Sequence, residues 1–504
     1  MADDANHPVK ATAYDAVPYP GHSHAETHPN RIAALARLFG LEPPAVATAR
    51  ILEIACGDGA NLIPIACSLP RSHCVGFDLA ETAITRARAR IDELQLDNVV
   101  VSVANLADAR DIGPFDYVIA HGLYSWVPRT VRDALLRLIG TVLAPNGVAF
   151  VSYNVYPGWH VAGMVRDMLR YHVRGTDAAG SRVLQARALL DFLVQAHDAQ
   201  DPYGQLLAAE CERIAGHSPG HLYHDDLADI NDPVYFEEFV AHSATFGLAF
   251  LAEADFATMT GAGLPERMRE KLDEVRADPV AYGQYLDFVK CRRFRETLLR
   301  HASAPAAAAP VPGRIRTLRV ASAAVPDGPR VELAAGVNVQ FRLGERASLR
   351  TSSPLAKAVF IALRERWPES LTFDAVLARA CELLGRAVCA ADADAVEQTL
   401  LAALGLRMVE ITAERWNCAV APSDRPCASR LARAEASSSD ALTTLMHRRV
   451  RIAEEDARKL LTLCDGTRTL DALQAALSAH GSTLDRDQIR QRLQGFASLA
   501  LFEP

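Results

Sequence analysis

The chain has 504 residues, of which 50% are hydrophobic and 23% are charged, and its formal net charge at pH 7 is −8. A chain of this length exceeds what one hydrophobic core supports, so we expect two to four globular domains. The acidic balance excludes a chain-wide positive field, and with it nucleic acid or anionic lipid held by charge alone.

Targeting and redox patterns favour a cytoplasmic protein. The first ten residues, MADDANHPVK, lack the apolar region of a signal peptide. No stretch of the sequence is long and apolar enough to cross a bilayer, so we predict no membrane span. The 10 cysteines are scattered without a C-x-x-C pair, which is typical of free thiols in a reducing compartment and gives no metal-ligand pattern.

Strand and helix patterns alternate along the first third of the chain. Residues 1–30 form a polar arm, and residues 30–39 are helical in pattern, with Asn30 as the predicted N-cap. Five apolar runs then predict buried strands with helical patterns between them: RILEIAC (50–56), HCVGFDL (73–79), NVVVSVAN (98–105), FDYVIAHG (115–122) and GVAFVSYN (147–154). This alternation predicts an α/β fold, a Rossmann-like doubly wound parallel sheet covered on both faces.

The rest of the chain is richer in helical patterns. We predict a core with the arm over 1–165 and a helical domain over 166–300, in which 247–256 and 281–299 could add strands to the sheet. The basic run KCRRFR (290–295) is interpreted as a solvated face. Two α-rich, winged-helix-like modules follow, each after a predicted linker: 301–313 as first linker, 314–429 as first module, 430–439 as second linker and 440–504 as second module.

The segment LEIACGDGANLIPIA (52–66) follows the first predicted strand and begins a helix. Gly57 and Gly59 permit a tight turn and a close backbone approach to a ligand. The third glycine of a dinucleotide-binding turn is missing, which disfavours a pyrophosphate. Glu53 and Asp58 place negative charge at this turn, which suits a cationic ligand. The alternative is a turn with a structural role alone.

Two further polar residues follow the second and third predicted strands. Asp78 lies about 20 residues after the glycines, where a carboxylate can accept both hydroxyls of a ribose; the alternative is a helix cap. Asn105 could read an adenine edge. Together these features indicate an adenosine-bearing cofactor with a positively charged centre, which S-adenosylmethionine fits better than NAD.

These motifs resemble a known family. The segments ILEIACGDG, GFDLA, FDYVIAHGLYSWVP and NGVAFVSYNVYPGWH strongly resemble class I S-adenosylmethionine-dependent methyltransferases. More narrowly, they resemble bacterial methyltransferases with a methyltransferase regulatory domain, which include rickettsial protein-lysine methyltransferases acting on outer-membrane protein B. The resemblance extends through the arm, 221–256 and 292–299 into the C-terminal module. It implies S-adenosylmethionine as cofactor and a protein lysine as candidate substrate.

The candidate cofactor residues follow from the motifs and the resemblance. Ala55 stands where the family usually has glycine, which tightens the turn without abolishing binding. Tyr14 and Tyr19 of the arm are candidates for a lid over the cofactor, the alternative being a disordered tail. The candidate cofactor residues are Glu53, Ala55, Gly57, Asp58, Gly59, Asp78, Leu79, Asn105, Leu106, His121, Tyr14 and Tyr19.

Aromatic residues crowd the ends of the fourth and fifth predicted strands, which flank the methyl donor in a doubly wound sheet. Aromatic faces attract cations, so these rings could form a channel for a sulfonium and an approaching ammonium. The polar tips of Tyr153, Asn154 and His121 could orient the acceptor nitrogen. The alternative is ordinary core packing. The candidate catalytic residues are Tyr124, Trp126, His121, Tyr153, Asn154 and Trp159, with Tyr156 as a further wall.

A histidine-rich segment raises the hypothesis of a metal-binding site. His217, His221 and His224, next to Asp225 and Asp226, could converge on one helix face. The segment lacks an H-E-x-x-H pattern, so solvated or capping roles are favoured and we predict no metal site.

Three functions remain open at this point. The first is an enzyme that methylates protein lysines, with the helical modules recruiting a large substrate and offering surface for a homodimer. The second is a small-molecule N- or O-methyltransferase of secondary metabolism. The third is a cofactor-binding scaffold without catalysis that binds nucleic acid or protein, although the overall acidity argues against nucleic acid.

Overall fold

A seven-stranded sheet forms the centre of the computed structural model, which describes residues 17, 19–109, 112–196, 201–328, 331–345 and 347–504. The strands are β1 (Arg50–Ile54), β2 (His73–Asp78), β3 (Val99–Val103), β4 (Phe115–Ala120), β5 (Leu143–Asn154), β6 (Leu248–Glu253) and β7 (Phe294–His301). Their order is β3-β2-β1-β4-β5-β7-β6, with β1 to β5 parallel and β7 antiparallel to both of its neighbours. This sheet confirms the predicted doubly wound α/β class.

Both segments that could complete the sheet do so. β6 lies within 247–256, whereas 281–299 holds the end of a helix and then most of β7. β7 pairs with β5 up to the match of Phe294 with Asn154. The chain therefore returns from a helical insertion to cover the aromatic end of β5.

Helices cover both faces of the sheet, as the continuous apolar runs of the strands require. All six residues of β4 are buried. The helices are α1 (Pro29–Leu38), α2 (Leu62–Ser68), α3 (Glu81–Leu94) and α4 (Arg129–Val142). The first three pack on one face, and α4 packs on the other.

A helical insertion separates β5 from β6 and has an apolar core of its own. It consists of α5 (Gly158–His172), α6 (Ala179–Gln195), α7 (Pro202–Ala215), a helical turn (Pro219–His221) that continues as a π-helical turn (Leu222–Asp226), and α8 (Phe236–Ala244). Between β6 and β7 lie α9 (Glu266–Asp273) and α10 (Pro279–Lys290). In the part of the chain that the structure describes, no helix combines the length and apolar content needed to span a membrane.

Two smaller units follow the sheet. The first contains β8 (Arg319–Ala321), β9 (Val325–Pro326), β10 (Val339–Leu343), β11 (Ala347–Thr351), α11 (Pro354–Arg366), β12 (Leu371–Thr372), α12 (Phe373–Leu383), α13 (Ala390–Gly405) and β13 (Glu410–Thr412). The second contains α14 (Arg430–Ala436), β14 (Ala441–Thr443), β15 (Arg449–Arg451), α15 (Glu455–Leu463), α16 (Leu470–Ala479) and α17 (Arg486–Ser498). The predicted second linker over 430–439 is wrong, because α14 occupies it and buries Ala432 and Ala436 in the last core.

The start of α1 joins the sheet domain to the first of these units. The N-cap is His28 rather than Asn30, since the His28 ring nitrogen accepts the Asn30 backbone N–H at 3.1 Å. The Asn30 side chain instead accepts the backbone N–H of Glu414 at 2.7 Å and donates to its carbonyl at 3.1 Å.

The end of α1 contacts the predicted linker 301–313. Ala307 and Val311 donate their backbone N–H groups to the carbonyls of Phe39 and Leu38 at 2.8 and 2.9 Å. The buried residues on this face of the sheet also continue without a break into the unit that follows. The domain boundaries given above stay a prediction.

The basic run 290–295 is partly buried, and its interpretation as a solvated face is wrong for Arg295. This residue, on β7, donates two guanidinium N–H groups to Asp287 at 2.8 and 2.9 Å and a third to Glu253 at 2.7 Å. All three side chains are buried. Removing one partner from such a cluster leaves an uncompensated charge in the interior.

We therefore expect Asp287→Ala to lower the free energy of unfolding by about 3–5 kcal/mol. Asp273→Ala is the matched control, because Asp273 pairs with Arg276 at the surface and exposed pairs contribute little. Urea unfolding of the full chain measures both variants. Equal losses in the two variants would contradict a structural role for the buried cluster.

Candidate functional site

The glycine turn between β1 and α2 is built from three residues with positive φ. Ala55, Gly57 and Gly59 have φ values of 59°, 54° and 74°. A Cβ on Gly59 would lie 2.8 Å from the Ile63 side chain, whereas a Cβ on Gly57 would meet no heavy atom of the described residues within 4 Å. At Gly59 the positive φ and the close Ile63 side chain both favour glycine, whereas Gly57 is uncrowded. Ala55 carries a backbone strain of about 1–2 kcal/mol that glycine would relieve.

The end of β2 lies beside this turn. One carboxylate oxygen of Asp78 accepts the Gly57 backbone N–H at 2.9 Å, and the other accepts the Ala80 N–H at 2.8 Å. Asp78 thus braces the turn without capping α3, whose N-cap Ala80 has no side-chain hydrogen bond. Each Asp78 oxygen retains a lone pair for a further donor. Leu79 follows with 42% of its surface exposed, an apolar face at the same edge.

At the end of β3, the side chains of the two predicted cofactor residues already contact other parts of the protein. The Asn105 side-chain oxygen accepts the Ala107 N–H at 3.0 Å and so caps the turn Leu106–Asp108. The side chain of Leu106 packs in the core on the α4 face. The Leu106 side chain is therefore not available to a ligand, and the predicted contact there would be to the backbone.

Glu53, on β1, is the most unusual carboxylate of the site. It is 4% exposed, and its Oε1 accepts the side-chain N–H of Asn61 at 2.8 Å. Its Oε2 is buried without a hydrogen-bond partner among the described residues. Burial raises the pKa of this carboxyl to about 8. Buried polar atoms are normally paired, so the free oxygen indicates a missing donor, and a cationic one would stabilise the charged form.

Asn61 is a site residue that the sequence analysis missed. It lies just after the glycine turn, and its Oδ1 accepts the His24 backbone N–H and the His447 ring N–H, each at 2.9 Å. The Asn61 side chain therefore links the glycine turn to the arm and to the C-terminal unit by hydrogen bonds. The sequence around Asn61 shows only an asparagine in GDGAN. Its role could not be inferred from this segment, because its hydrogen-bond partners are remote in sequence.

The arm crosses the glycine turn directly. A Cβ on Gly21 would lie 2.6 Å from the Asp58 carboxylate and 2.8 Å from the Ala60 Cβ, which cannot rotate away, so glycine is required for this approach. The His24 ring stacks on His121 with centroids 3.6 Å apart. Burial lowers the pKa of His121 to about 4 and also lowers the pKa of His24, so both rings are neutral near pH 7. Burial also raises the pKa of Asp58.

The two tyrosines of the predicted lid have different outcomes. Tyr19 packs edge-on against His221 and His224, at 5.0 and 5.9 Å between centroids, and its hydroxyl donates to Asp225 at 3.4 Å. Tyr19 therefore anchors the arm to the helical insertion rather than facing the glycine turn. Tyr14 lies outside the described residues.

The structure removes Tyr124 and Tyr153 from the predicted channel. Both rings are buried in the core on the α4 face, where Tyr153 stacks on Phe239 at 3.8 Å. The Tyr153 hydroxyl bonds to Thr297 at 2.9 Å, and the Tyr124 hydroxyl bonds to His242 at 2.8 Å. The core-packing alternative is therefore the correct one for these two residues, because the insertion covers that face of β5.

Asn154 is also committed to the protein. It is buried, and its side-chain N–H donates to Asn231 at 2.9 Å while its backbone N–H donates to Ser125. These two contacts hold the strand end, and the role of Asn154 in orienting an acceptor stays a prediction. Trp126 and Trp159 remain half-buried and contact each other edge-to-face at 6.4 Å.

A chain of rings leads from the end of β5 onto the surface of α10. Tyr156 stacks on His160 at 4.1 Å and contacts Tyr235 at 5.3 Å. Phe288 lies 6.1 Å from Tyr235 and 5.8 Å from Tyr285, and both Phe288 and Tyr285 are exposed. Burial and then the charge of Asp232 raise the pKa of Tyr156, so a negative charge lies beside the rings.

The histidine-rich segment is divided among separate partners. His217 contacts Asp226 at 2.8 Å, His221 contacts the Ser218 hydroxyl at 2.9 Å, and His224 contacts the Val17 carbonyl at 2.6 Å. Within the described ranges, no group of three or more His, Cys, Asp or Glu side chains is arranged to hold a metal ion.

Three family models match this chain. A methyltransferase domain matches residues 52–149, a predicted methyltransferase regulatory domain matches 218–301, and a PKMT C-terminal winged-helix domain matches 424–494. The first model runs from within β1, through the glycine turn, to within β5. The last confirms a winged-helix unit that begins before α14.

Individual relatives extend this similarity over most of the chain. Uncharacterized protein RP789 of Rickettsia prowazekii is 35% identical over 73% of this chain and 68% of its own length. Uncharacterized protein RP028 of the same organism is 35% identical over 45% of this chain and 92% of its own. The structures of PKMT2 from Rickettsia typhi, one of them in complex with AdoHcy, cover 96% of this chain and 100% of that chain at 26% identity and a TM-score of 0.87.

We expect Gly21→Ala to lift the arm from the glycine turn, because the added methyl group would clash with the Ala60 Cβ as well as with the Asp58 carboxylate. Hydrogen exchange at the His24 amide, which donates to Asn61, should then be faster than in the unaltered chain. Gly163→Ala is the control, since a Cβ there meets nothing within 4 Å. Identical exchange at His24 in both variants would contradict this contact.

Proposed function

The chain belongs to the class I S-adenosylmethionine-dependent methyltransferases with a methyltransferase regulatory domain and a C-terminal winged-helix domain, and we propose that its methyl acceptor is a lysine amine of a protein. The observation that carries the cofactor assignment is the edge of the sheet below the arm. There the buried, unpaired oxygen of Glu53, the uncrowded Gly57 and the carboxylate of Asp78 lie around the glycine turn. The relative PKMT2 supports lysine as the acceptor class.

The residues of this edge suit S-adenosylmethionine, which supplies a methyl group on a sulfonium when bound. The remaining lone pairs of Asp78 would accept the ribose hydroxyls, and Leu79 would offer an apolar face to the adenine. The free oxygen of Glu53 would accept the α-ammonium. Asp58 adds negative charge near the cationic centre, and the neutral rings of His24 and His121 would exclude water from the site.

The acceptor side is proposed to be the aromatic surface beyond β5. A lysine with a pKa near 10.4 is neutral in about 1 of 2,500 molecules at pH 7. Trp126 and Trp159 would attract the ammonium, and removal from water there would lower the lysine pKa and favour the nucleophilic amine. Positioning for in-line displacement then supplies most of the remaining rate. Exposed aromatic surface such as Phe288 and Tyr285 favours a protein partner over a small molecule.

Incubation of the purified chain with methyl-labelled S-adenosylmethionine and cell lysate tests the acceptor class. We expect label in protein, recovered as methylated lysine after hydrolysis. Tyr285→Ala/Phe288→Ala should lower this rate about tenfold at unchanged S-adenosylhomocysteine affinity, a loss in the range of aromatic interface residues. Phe192→Ala, at another exposed ring, should have no effect. Label confined to small molecules would make the metabolite alternative correct, and absence of label would favour the scaffold.

Cofactor binding should release a proton from Glu53. In the free protein, burial holds the pKa of this carboxyl at about 8, so it is mostly protonated at pH 7. An ammonium seated against it favours the charged form, and the pKa falls on binding. The affinity for S-adenosylhomocysteine should therefore rise with pH between about 6 and 7.5, where the ligand amine is still protonated.

Calorimetry in two buffers of different ionisation enthalpy measures the released proton. Glu53→Gln keeps an acceptor for Asn61 but cannot ionise, so it should bind without proton release. The same proton release in both proteins would contradict the assigned position of the ammonium. Cytoplasmic localisation, a homodimer and the lack of nucleic-acid binding stay predictions.

A further inference from the structure

His447 reaches the cofactor turn from the far end of the chain. It lies at the tip of the hairpin formed by β14 and β15, has a φ of 58°, and is 1% exposed. Its backbone N–H donates to the Thr444 carbonyl at 2.9 Å, which closes the tip. The ring then lies 2.9 Å from Asn61, a residue 386 positions earlier in the sequence.

The hydrogen-bond pattern fixes both side chains. The Asn61 N–H group donates to Glu53, so its oxygen faces the arm and the hairpin. That oxygen can only accept, which makes His447 the Nε2–H tautomer. The Asn61 oxygen accepts the His24 backbone N–H and the His447 ring N–H, and the Thr27 hydroxyl also lies 3.0 Å from it. Burial lowers the pKa of His447 to about 3, so the ring remains a neutral donor.

The hairpin is held in place by charge. Glu410, on β13, pairs with Arg31 of α1 and with Arg448 at 2.9 Å, immediately after His447. Arg31 also donates to the carbonyl of Met446 at 3.4 Å. These contacts place the hairpin tip against the sheet domain without the help of a ligand.

We infer that His447 is a positioning residue for the amino-acid end of S-adenosylmethionine: it holds Asn61 in the orientation that keeps the free oxygen of Glu53 aimed at the ligand ammonium. This inference rests on the proposed function. Without the His447 donor, the buried Asn61 oxygen keeps the His24 N–H and the Thr27 hydroxyl but loses its contact to the hairpin. The amide is then held less firmly, and the Glu53 carboxyl loses part of its brace. By linkage, cofactor binding and docking of the winged-helix unit then strengthen each other.

Comparing the affinities of two ligands distinguishes a positioning role of His447 from a general loss of structure at the cofactor site. S-Adenosylhomocysteine carries the amine, whereas 5′-methylthioadenosine has the same adenosine but no amino-acid end. His447→Ala in the full chain should weaken the first about tenfold, the effect of one lost hydrogen bond to a buried group, and the second less than about twofold. His447→Gln should restore binding, because its amide N–H can reach Asn61.

Two further variants distinguish loss of the His447 contact from a general effect of substitution in the hairpin. His447→Asn tolerates the left-handed backbone but is too short to reach Asn61, so it should behave like His447→Ala even if the alanine variant folds poorly. Arg451→Ala removes only a surface pair with Asp440 on the same hairpin and should bind both ligands normally.

The binding results distinguish failure of this inference from failure of the proposed function. Equal weakening of both ligands by His447→Ala and His447→Asn would show a purely structural hairpin and overturn the inference. Unchanged binding of S-adenosylhomocysteine in these variants would overturn it as well, with the proposed function intact. Failure of the unaltered chain to bind either ligand would instead overturn the proposed function and this inference with it.

Discussion

An unpaired carboxylate oxygen in a buried position is the constraint on which this site depends. Glu53 is removed from water on β1, and one of its oxygens lacks a donor among the described residues. An arrangement of this kind costs stability unless a ligand completes it. Asp78, at the end of the neighbouring parallel strand, braces the adjoining turn through the Gly57 N–H, so the two carboxylates lie at the same edge of the sheet. A ligand with two hydroxyls and a cation matches that pair better than a phosphate does.

The remaining architecture encloses this edge of the sheet. The arm crosses above Asp58 at Gly21, and the C-terminal hairpin reaches the same turn through His447. The helical insertion anchors the arm at Tyr19. Three distant parts of the chain are thus ordered around one short turn. The winged-helix unit therefore contacts the glycine turn through His447, so its presence does not by itself require a large substrate.

Local features of the site were predictable because they are encoded in short segments. Strands buried on both faces are continuously apolar, so β1 to β5 could be identified from their runs, and the glycine turn with Asp78 follows from spacing. The burial of the Tyr153 ring could not be predicted from the sequence. Alternation along β5 places it on one face with Val151, but that face is covered by Phe239, which arrives more than eighty residues later. The same limit applies to Arg295, whose partners lie on α10 and β6, and to Asn61, whose partners lie on the arm and the hairpin.

A crystal structure of the full chain with S-adenosylhomocysteine tests the central claim most directly. The account predicts the ligand amine within hydrogen-bond distance of the second carboxylate oxygen of Glu53, and the ribose hydroxyls on Asp78, below an arm that still crosses at Gly21. A ligand bound elsewhere, or one whose amine points away while Glu53 keeps its oxygen unpaired, would contradict it.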